Sequence, residues 1–120
     1  MIDMIFRKKH ETRNRMALIL LDSNFEIGLK EYLVHLTTKH YSDSQIAKIF
    51  DDRRTAINEV KTHVKIDDVL WQKARHYYDR RNKLIHERAT IQITDGELED
   101  YRDVVEAILS KLFKLDFSGR

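Results

Sequence analysis

DDVLWQKARHYYDRRNKLIH, residues 67–86, is the stretch that decides the fold, because its apolar residues recur at helical spacing. Asp67 is a favoured N-cap residue, and Ile66 and Trp71 have the spacing of a hydrophobic staple. The stretch therefore predicts a helix that starts at Asp67 and reaches at least to His86. Its apolar arc consists of Leu70, Ala74, Tyr77, Leu84 and Ile85, with Trp71 and Tyr78 on the shoulder.

A longer amphipathic segment precedes this helix and runs from about Glu11 to Thr38, with a less regular lead-in from Ile2. Gly28 lies inside it and costs about 1 kcal/mol relative to alanine, so we expect a bend or a close helix contact there. The apolar face of this first helix is formed by Leu18, Leu21, Phe25, Leu29, Tyr32 and Leu36.

Two further helices are predicted from capping boxes, in which a Ser or Thr is followed three residues later by Gln or Glu. Ser42 and Gln45 start a second helix after the polar break at residues 39–44, and we expect this helix to continue unbroken to about Val64. Thr94 and Glu97 start the last helix. The apolar stripes are Ile46, Ile49, Phe50, Ile57, Val60 and Val64 in the second helix, and Leu98, Tyr101, Val105, Ile108, Leu112 and Leu115 in the last.

Residues 87–93 fit no helix, and the alternation of Ile91 and Ile93 with Gln92 makes a short extended piece an alternative. Four amphipathic helices with short connections predict an all-α bundle of four to five helices. We expect one domain over residues 1–120.

The composition is that of a globular protein with a large solvated helix surface, at 42% hydrophobic and 35% charged residues. A net charge of +2 creates no general attraction to nucleic acid, so RNA binding requires a local basic patch. The absence of cysteine excludes disulfides and thiolate catalysis and permits a cytoplasmic location, which we expect. The opening MIDMIFRKKH lacks the apolar region of a secretory signal, and no apolar run has membrane-spanning length.

Arg81 occupies the middle of the apolar arc of residues 67–86, where a leucine would be expected. A guanidinium does not lose its proton and is rarely buried without a partner. Asp22 lies within the apolar arc of the first helix, with Glu26 on its edge, so an Asp22–Arg81 ion pair between packed helices is one explanation. Such a pair fits a structural role, and it also fits a catalytic arginine held in place by an acid.

His86 and Asn82 stand one helical turn apart, close to Arg81. Histidine exchanges protons near neutral pH, and an arginine binds a phosphate through two parallel hydrogen bonds. These are the groups required to cleave RNA without a metal or cofactor, since a base activates the 2′-hydroxyl and a cation stabilises the charge that develops on the phosphate. The spacing alone also fits a structural arginine and an ordinary histidine at a helix end.

Arg81-Asn82-Lys83-Leu84-Ile85-His86 resembles the signature of the HEPN superfamily, in which an arginine, commonly followed by a polar residue such as asparagine, precedes a histidine by a few positions. The setting is also similar, near the end of the third long helix and followed by one more. The acidic residues of the first helix resemble those of the family's opening helix. The likeness extends over nearly the whole chain in architecture, but the specific motif is six residues long.

The resemblance implies a homodimer that brings two signature helices together and forms a composite cleft. It implies a metal-independent endoribonuclease that leaves cyclic phosphate ends, acting as a toxin or antiviral effector beside an antitoxin or regulatory protein. By the resemblance His86 is the general base or acid, Arg81 the phosphate clamp and Asn82 the positioning residue. From spacing alone, the RNA-backbone contacts are predicted at Lys83, Arg80 and Arg88.

Two other functions compete with a nuclease. A catalytically inactive HEPN-like interaction module fits the low net charge and needs no chemistry from His86. A helix-turn-helix DNA-binding protein fits the pattern of residues 46–60, but Asp51 stands where a turn glycine is usual, and Asp52 follows where an apolar residue is usual. Both acids would also repel DNA phosphates.

We expect no metal site, because the histidines are scattered without the spacing of ligand pairs. Trp71 and the pair Tyr77–Tyr78 are expected in the core or an interface rather than as a platform for stacked bases. The six histidines are His10, His35, His40, His63, His76 and His86.

Overall fold

The computed structural model describes residues 2–37, 40–86 and 91–114, with side chains from residue 9 onward. Within these ranges the chain is all-helical, as the sequence predicts, and contains no strand. The helices are α1 (Ile2–Glu31), α2 (Asp43–Asp51), α3 (Arg53–His63), α4 (Asp68–His86) and α5 (Asp95–Phe113), with a π-helical turn (Tyr32–Leu36) directly after α1.

The helices form a bundle in which α1 packs on α3, α4 and α5, and α4 packs along α5. Leu18, Phe25 and Leu29 of α1 are completely buried in the shared core. The close helix contact expected at Gly28 is present, because a Cβ built there would lie 2.7 Å from Leu109 Cδ2. The absence of a side chain at Gly28 therefore leaves room for the Leu109 side chain of α5 against α1.

The prediction of one unbroken helix from Ser42 to Val64 is wrong, because the helix is interrupted at Asp52. This residue has extended backbone angles, φ −137° and ψ 119°, and acts as the N-cap of α3. Its Oδ1 accepts a hydrogen bond from the Arg54 amide at 3.1 Å, and its Oδ2 accepts one from the Thr55 hydroxyl at 3.1 Å. A short acidic side chain that accepts a hydrogen bond from a backbone amide two residues later in the chain favours a helix start over a helix interior.

The predicted starts of α2, α4 and α5 are confirmed by their capping bonds. Ser42 and Gln45 form the complete reciprocal capping box of α2. The Thr94 hydroxyl accepts a hydrogen bond from the Glu97 amide at the start of α5. Asp67 Oδ1 accepts one from the Val69 amide at the start of α4.

The connection before α5 has no regular secondary structure over residues 91–94, and residues 87–90 lie outside the described residues. Ile93 is buried in the core, and its carbonyl accepts a hydrogen bond of 2.9 Å from Asn14 Nδ2. This buried bond ties the start of α5 to α1, so the connection is anchored without forming a strand. Leu115 of the predicted apolar stripe also lies outside the described residues.

Asp52→Ala removes the N-cap of α3 and is expected to destabilise the protein by about 1 kcal/mol. Chemical denaturation followed by circular dichroism measures the loss. Asp51→Ala is the control, since Asp51 is exposed at the end of α2 and its removal is expected to change stability by less than about 0.5 kcal/mol. Equal losses for the two variants would show that the break does not depend on the cap.

Candidate active site at the end of helix α4

The carboxylate of Asp22, fully buried on α1, is the centre of a hydrogen-bond cluster. Arg53 binds it through both terminal nitrogens, with Nη1 2.7 Å from Oδ1 and Nη2 2.8 Å from Oδ2. The Tyr101 hydroxyl donates to Oδ1 at 2.6 Å. Burial raises the pKa of the Tyr101 phenol, which therefore stays protonated and remains a donor.

Arg81 lies at the edge of this cluster. Its Nε is 3.4 Å from Asp22 Oδ2, and its Nη1 donates to Asn82 Oδ1 at 2.9 Å. Its Cζ lies 5.7 Å from the centre of the Tyr78 ring. The contact expected between Asp22 and Arg81 is therefore present, but it is Arg53 that forms the bidentate ion pair with the carboxylate. The Arg81 side chain is 22% exposed and faces solvent in part.

His86 is the last residue of α4 and is exposed, one turn beyond the half-buried Asn82. At 100° per residue the two lie about 40° apart around the helix, while Arg81 and His86 lie about 140° apart. One chain therefore presents Asn82 and His86 on one side of α4, and the Arg81 guanidinium on another.

The predicted RNA contacts differ in their surroundings. Lys83 is exposed on α4. Arg80 is half-buried, with its Nε 2.8 Å from Glu97 Oε2 and its Nη2 donating to the Gln92 carbonyl at 2.7 Å. The hydrogen bond links α4 to the connection before α5, and the ion pair with Glu97 links α4 to the first turn of α5, so Arg80 has a structural role in this conformation. Arg88 lies outside the described residues.

The part played by Arg53 is not predicted by the sequence pattern. The residue falls within the stretch of DNA-binding type at residues 46–60, but it is buried against Asp22, with 5% of its side chain exposed. Arg53 Nε also donates to Glu26 Oε1 at 3.2 Å, so Glu26 orients Arg53. One signal was available: Arg53 shares helical spacing with the buried Ala56 and Val60, so it is a cation on an apolar face, as Arg81 is on α4.

The link between α2 and α3 is Asp52 alone. A helix-turn-helix motif joins its helices by a turn of three to four residues. The burial of Arg53 against Asp22 also leaves its charge unavailable to DNA phosphates. Both observations count against the DNA-binding alternative.

No three histidine, aspartate or glutamate side chains gather as metal ligands within the part of the chain that the structure describes. In the same residues no helix is long and apolar enough to span a membrane. Comparison with models of known protein families, with curated protein sequences and with solved structures finds no match to this chain.

Arg53→Ala is expected to destabilise the protein by about 3–5 kcal/mol, because it leaves the Asp22 carboxylate buried without its main partner. Arg81→Ala is expected to cost about 1–2 kcal/mol, because Arg53 and Tyr101 still satisfy that carboxylate. Urea denaturation of the two variants measures the difference. Exposed Arg54, the neighbour of Arg53, provides the control: Arg54→Ala should change stability by less than about 0.5 kcal/mol. A loss for Arg81→Ala as large as that for Arg53→Ala would contradict this division of roles.

Proposed function

We propose that this chain is an endoribonuclease of HEPN type, which cleaves RNA without a metal ion at a site completed by a second copy of the chain. The proposal rests on the resemblance of residues 81–86 to the HEPN signature and on the surroundings of Arg81. Its position on the last-but-one helix of an all-α bundle also fits that resemblance.

The observation that carries the proposal is that Arg81 is held in position but keeps hydrogen-bond donors that are free to bind a ligand. Its Nη1 donates a hydrogen bond to Asn82, its Nε forms an ion pair with Asp22 at 3.4 Å without a hydrogen bond, and Tyr78 lies beside its guanidinium. Among the described residues nothing accepts a hydrogen bond from its Nη2, and part of the side chain is open to solvent. A positioned cation with a free donor is suited to a phosphate oxygen, and it needs little reorganisation when negative charge develops there.

The reaction follows from the chemistry of these side chains. The His86 imidazole takes the proton from a 2′-hydroxyl, whose oxygen then forms a bond to the adjacent phosphorus. Arg81 stabilises the charge on the non-bridging oxygens, and Asn82 positions the phosphate. The bond from phosphorus to the 5′ oxygen breaks, and that oxygen takes up a proton from a protonated imidazole. The products are a 2′,3′-cyclic phosphate and a 5′-hydroxyl.

A second copy of the chain would explain how Arg81 and His86, which lie on different sides of α4, act on one phosphate. Because Arg81 and His86 lie on different sides of α4, two such helices packed together would let groups of both copies approach one phosphate. Ile85 lies between them in sequence and is 39% exposed, an apolar side chain suited to a subunit contact. A site of this kind, directed at cellular RNA, suits a toxin or antiviral effector controlled by a second protein.

His86→Ala is expected to lower the rate of RNA cleavage at least a hundredfold, because the group that moves the proton is lost. The assay uses mixed single-stranded RNA in excess EDTA and detects cyclic phosphate ends. His76→Ala is the matched control, since His76 is also an exposed histidine of α4 but lies outside the proposed site. Equal cleavage by His86→Ala and wild type would disprove the assignment. Cleavage lost completely in EDTA would point to a metal-dependent contaminant.

The dimer is tested by mass in solution, where light scattering should give twice the chain mass of 14.4 kDa. Ile85→Glu places a charge in the proposed contact and is expected to give a monomer with little cleavage. Val69→Glu, on an exposed apolar residue near the other end of α4, should remain dimeric and active. A wild-type monomer that cleaves RNA would disprove the composite site but not the roles of Arg81 and His86.

A further inference from the structure

A cleft of about 390 Å³ lies along α3 and α4, on the side where Phe25 of α1 closes the core. None of Arg81, Asn82 and His86 lines it, so it is separate from the proposed cleavage site. Its α4 wall is formed by Trp71, Ala74, Arg75, Tyr78 and Asp79.

The cleft carries an excess of uncommitted positive charge. Arg53 is neutralised by Asp22, whereas Asp52 keeps its negative charge although its oxygens cap α3. Apart from Arg53, the charged groups of the lining are the cations Arg54, Lys61 and Arg75 and the carboxylates of Asp52 and Asp79, which leaves an excess of one positive charge. All five are exposed, and within the described ranges the three cations make no ion pair. Their charge is therefore available to an anion.

Trp71 adds a second, independent feature to this cleft. The residue is 5% exposed, and its indole Nε1 is buried without a hydrogen-bond acceptor among the described residues. A buried N–H group without an acceptor is uncommon and unfavourable. Lys61 lies over the ring, with Nζ 5.9 Å from its centre, and this long exposed side chain is able to move aside. A ligand with negative charge suits the cations of the cleft, and an acceptor oxygen would satisfy the indole N–H once Lys61 moves aside.

The position of the cleft on α4 indicates which anion it binds. Arg75, Asn82 and His86 lie within about 40° of one another around the helix axis. The rise along the axis from Arg75 to His86 is about 16 Å. A ligand in the cleft that extends along this face of α4 therefore reaches the proposed cleavage site.

We propose that the cleft binds the phosphate backbone of single-stranded RNA beside the bond to be cut, with Arg54, Lys61 and Arg75 contacting phosphate oxygens. This inference rests on the proposed nuclease function for the identity of its ligand. A single strand is favoured because a cleft of this volume accommodates a small ligand or a short run of one strand, whereas duplex RNA is recognised across about 16 base pairs.

Trp71 is the only tryptophan of the chain, so its fluorescence reports on the cleft. The probe is a short 2′-O-methyl RNA, which lacks the attacking hydroxyl and is not cleaved. Titration of the wild type at several salt concentrations is expected to change Trp71 emission and to give an affinity that falls steeply with salt. The double variant Arg54→Ala/Arg75→Ala should reduce the slope of log affinity against log salt by about 1.4, or about 0.7 for each phosphate contact on a single strand.

Arg102→Ala is the matched control, because Arg102 is an exposed arginine of α5 away from the cleft, and its slope should equal that of the wild type. No change of emission, or the same slope for the double variant and the wild type, overturns the proposal. Two further titrations use AMP and a poly-glutamate of equal charge. Binding of either as tightly as the oligonucleotide also overturns it, in favour of a free nucleotide or an acidic protein.

Cleavage assays separate this proposal from the nuclease function itself. If the wild type cuts RNA through His86 and the double variant shows an unchanged KM, the cleft proposal fails and the nuclease stands. If the oligonucleotide binds with the expected loss of slope but the wild type cuts no RNA, the nuclease fails. In that case the cleft remains an RNA-binding site of an inactive module.

Discussion

The buried carboxylate of Asp22 is the constraint on which the rest of the structure depends. A charge removed from water is tolerated only when partners surround it, and here they come from three different helices. Arg53 of α3 and Tyr101 of α5 bond to it directly, and Arg81 of α4 approaches it at the edge. One side chain of α1 therefore contacts side chains from three other helices.

This arrangement explains why α4 serves both the core and a surface. Its first half buries Trp71 and Tyr77, and the Tyr77 ring stacks on Tyr101 with their centres 4.8 Å apart. The Tyr77 hydroxyl donates to Asp100 at 2.6 Å, and this bond lowers the pKa of that carboxyl. While its first half packs against α5, the last two turns of α4 leave Lys83 and His86 exposed and Asn82 half-buried.

The cluster around Asp22 gives Arg53 and Arg81 different roles. Because Arg53 satisfies both oxygens of Asp22, the carboxylate orients Arg81 without neutralising it fully. A positioned cation with remaining donors is a suitable partner for a phosphodiester. The basic cleft along the same helix offers further cations, so α4 combines the proposed chemistry with the proposed binding of RNA.

The predictable parts of the fold are those encoded within a few neighbouring residues. Helical periodicity indicated α1, α4 and α5, and the capping residues Ser42, Asp67 and Thr94 placed three helix starts correctly. The break at Asp52 was missed, although its signal is also local. An aspartate is tolerated inside a helix and favoured at a cap, and here the apolar spacing on both sides suggested a continuous helix.

From the sequence alone came the all-α fold, the choice of Arg81, Asn82 and His86 as the candidate site, and Asp22 as the acid beside it. Only the tertiary structure decided that Arg53 is the main partner of Asp22, that Arg80 is tied to α5, and that a basic cleft lies along α4. The physical reason is sequence separation. The bonds from Asp22 to Arg53 and Tyr101 join residues 31 and 79 positions apart, which helical periodicity and capping patterns do not relate.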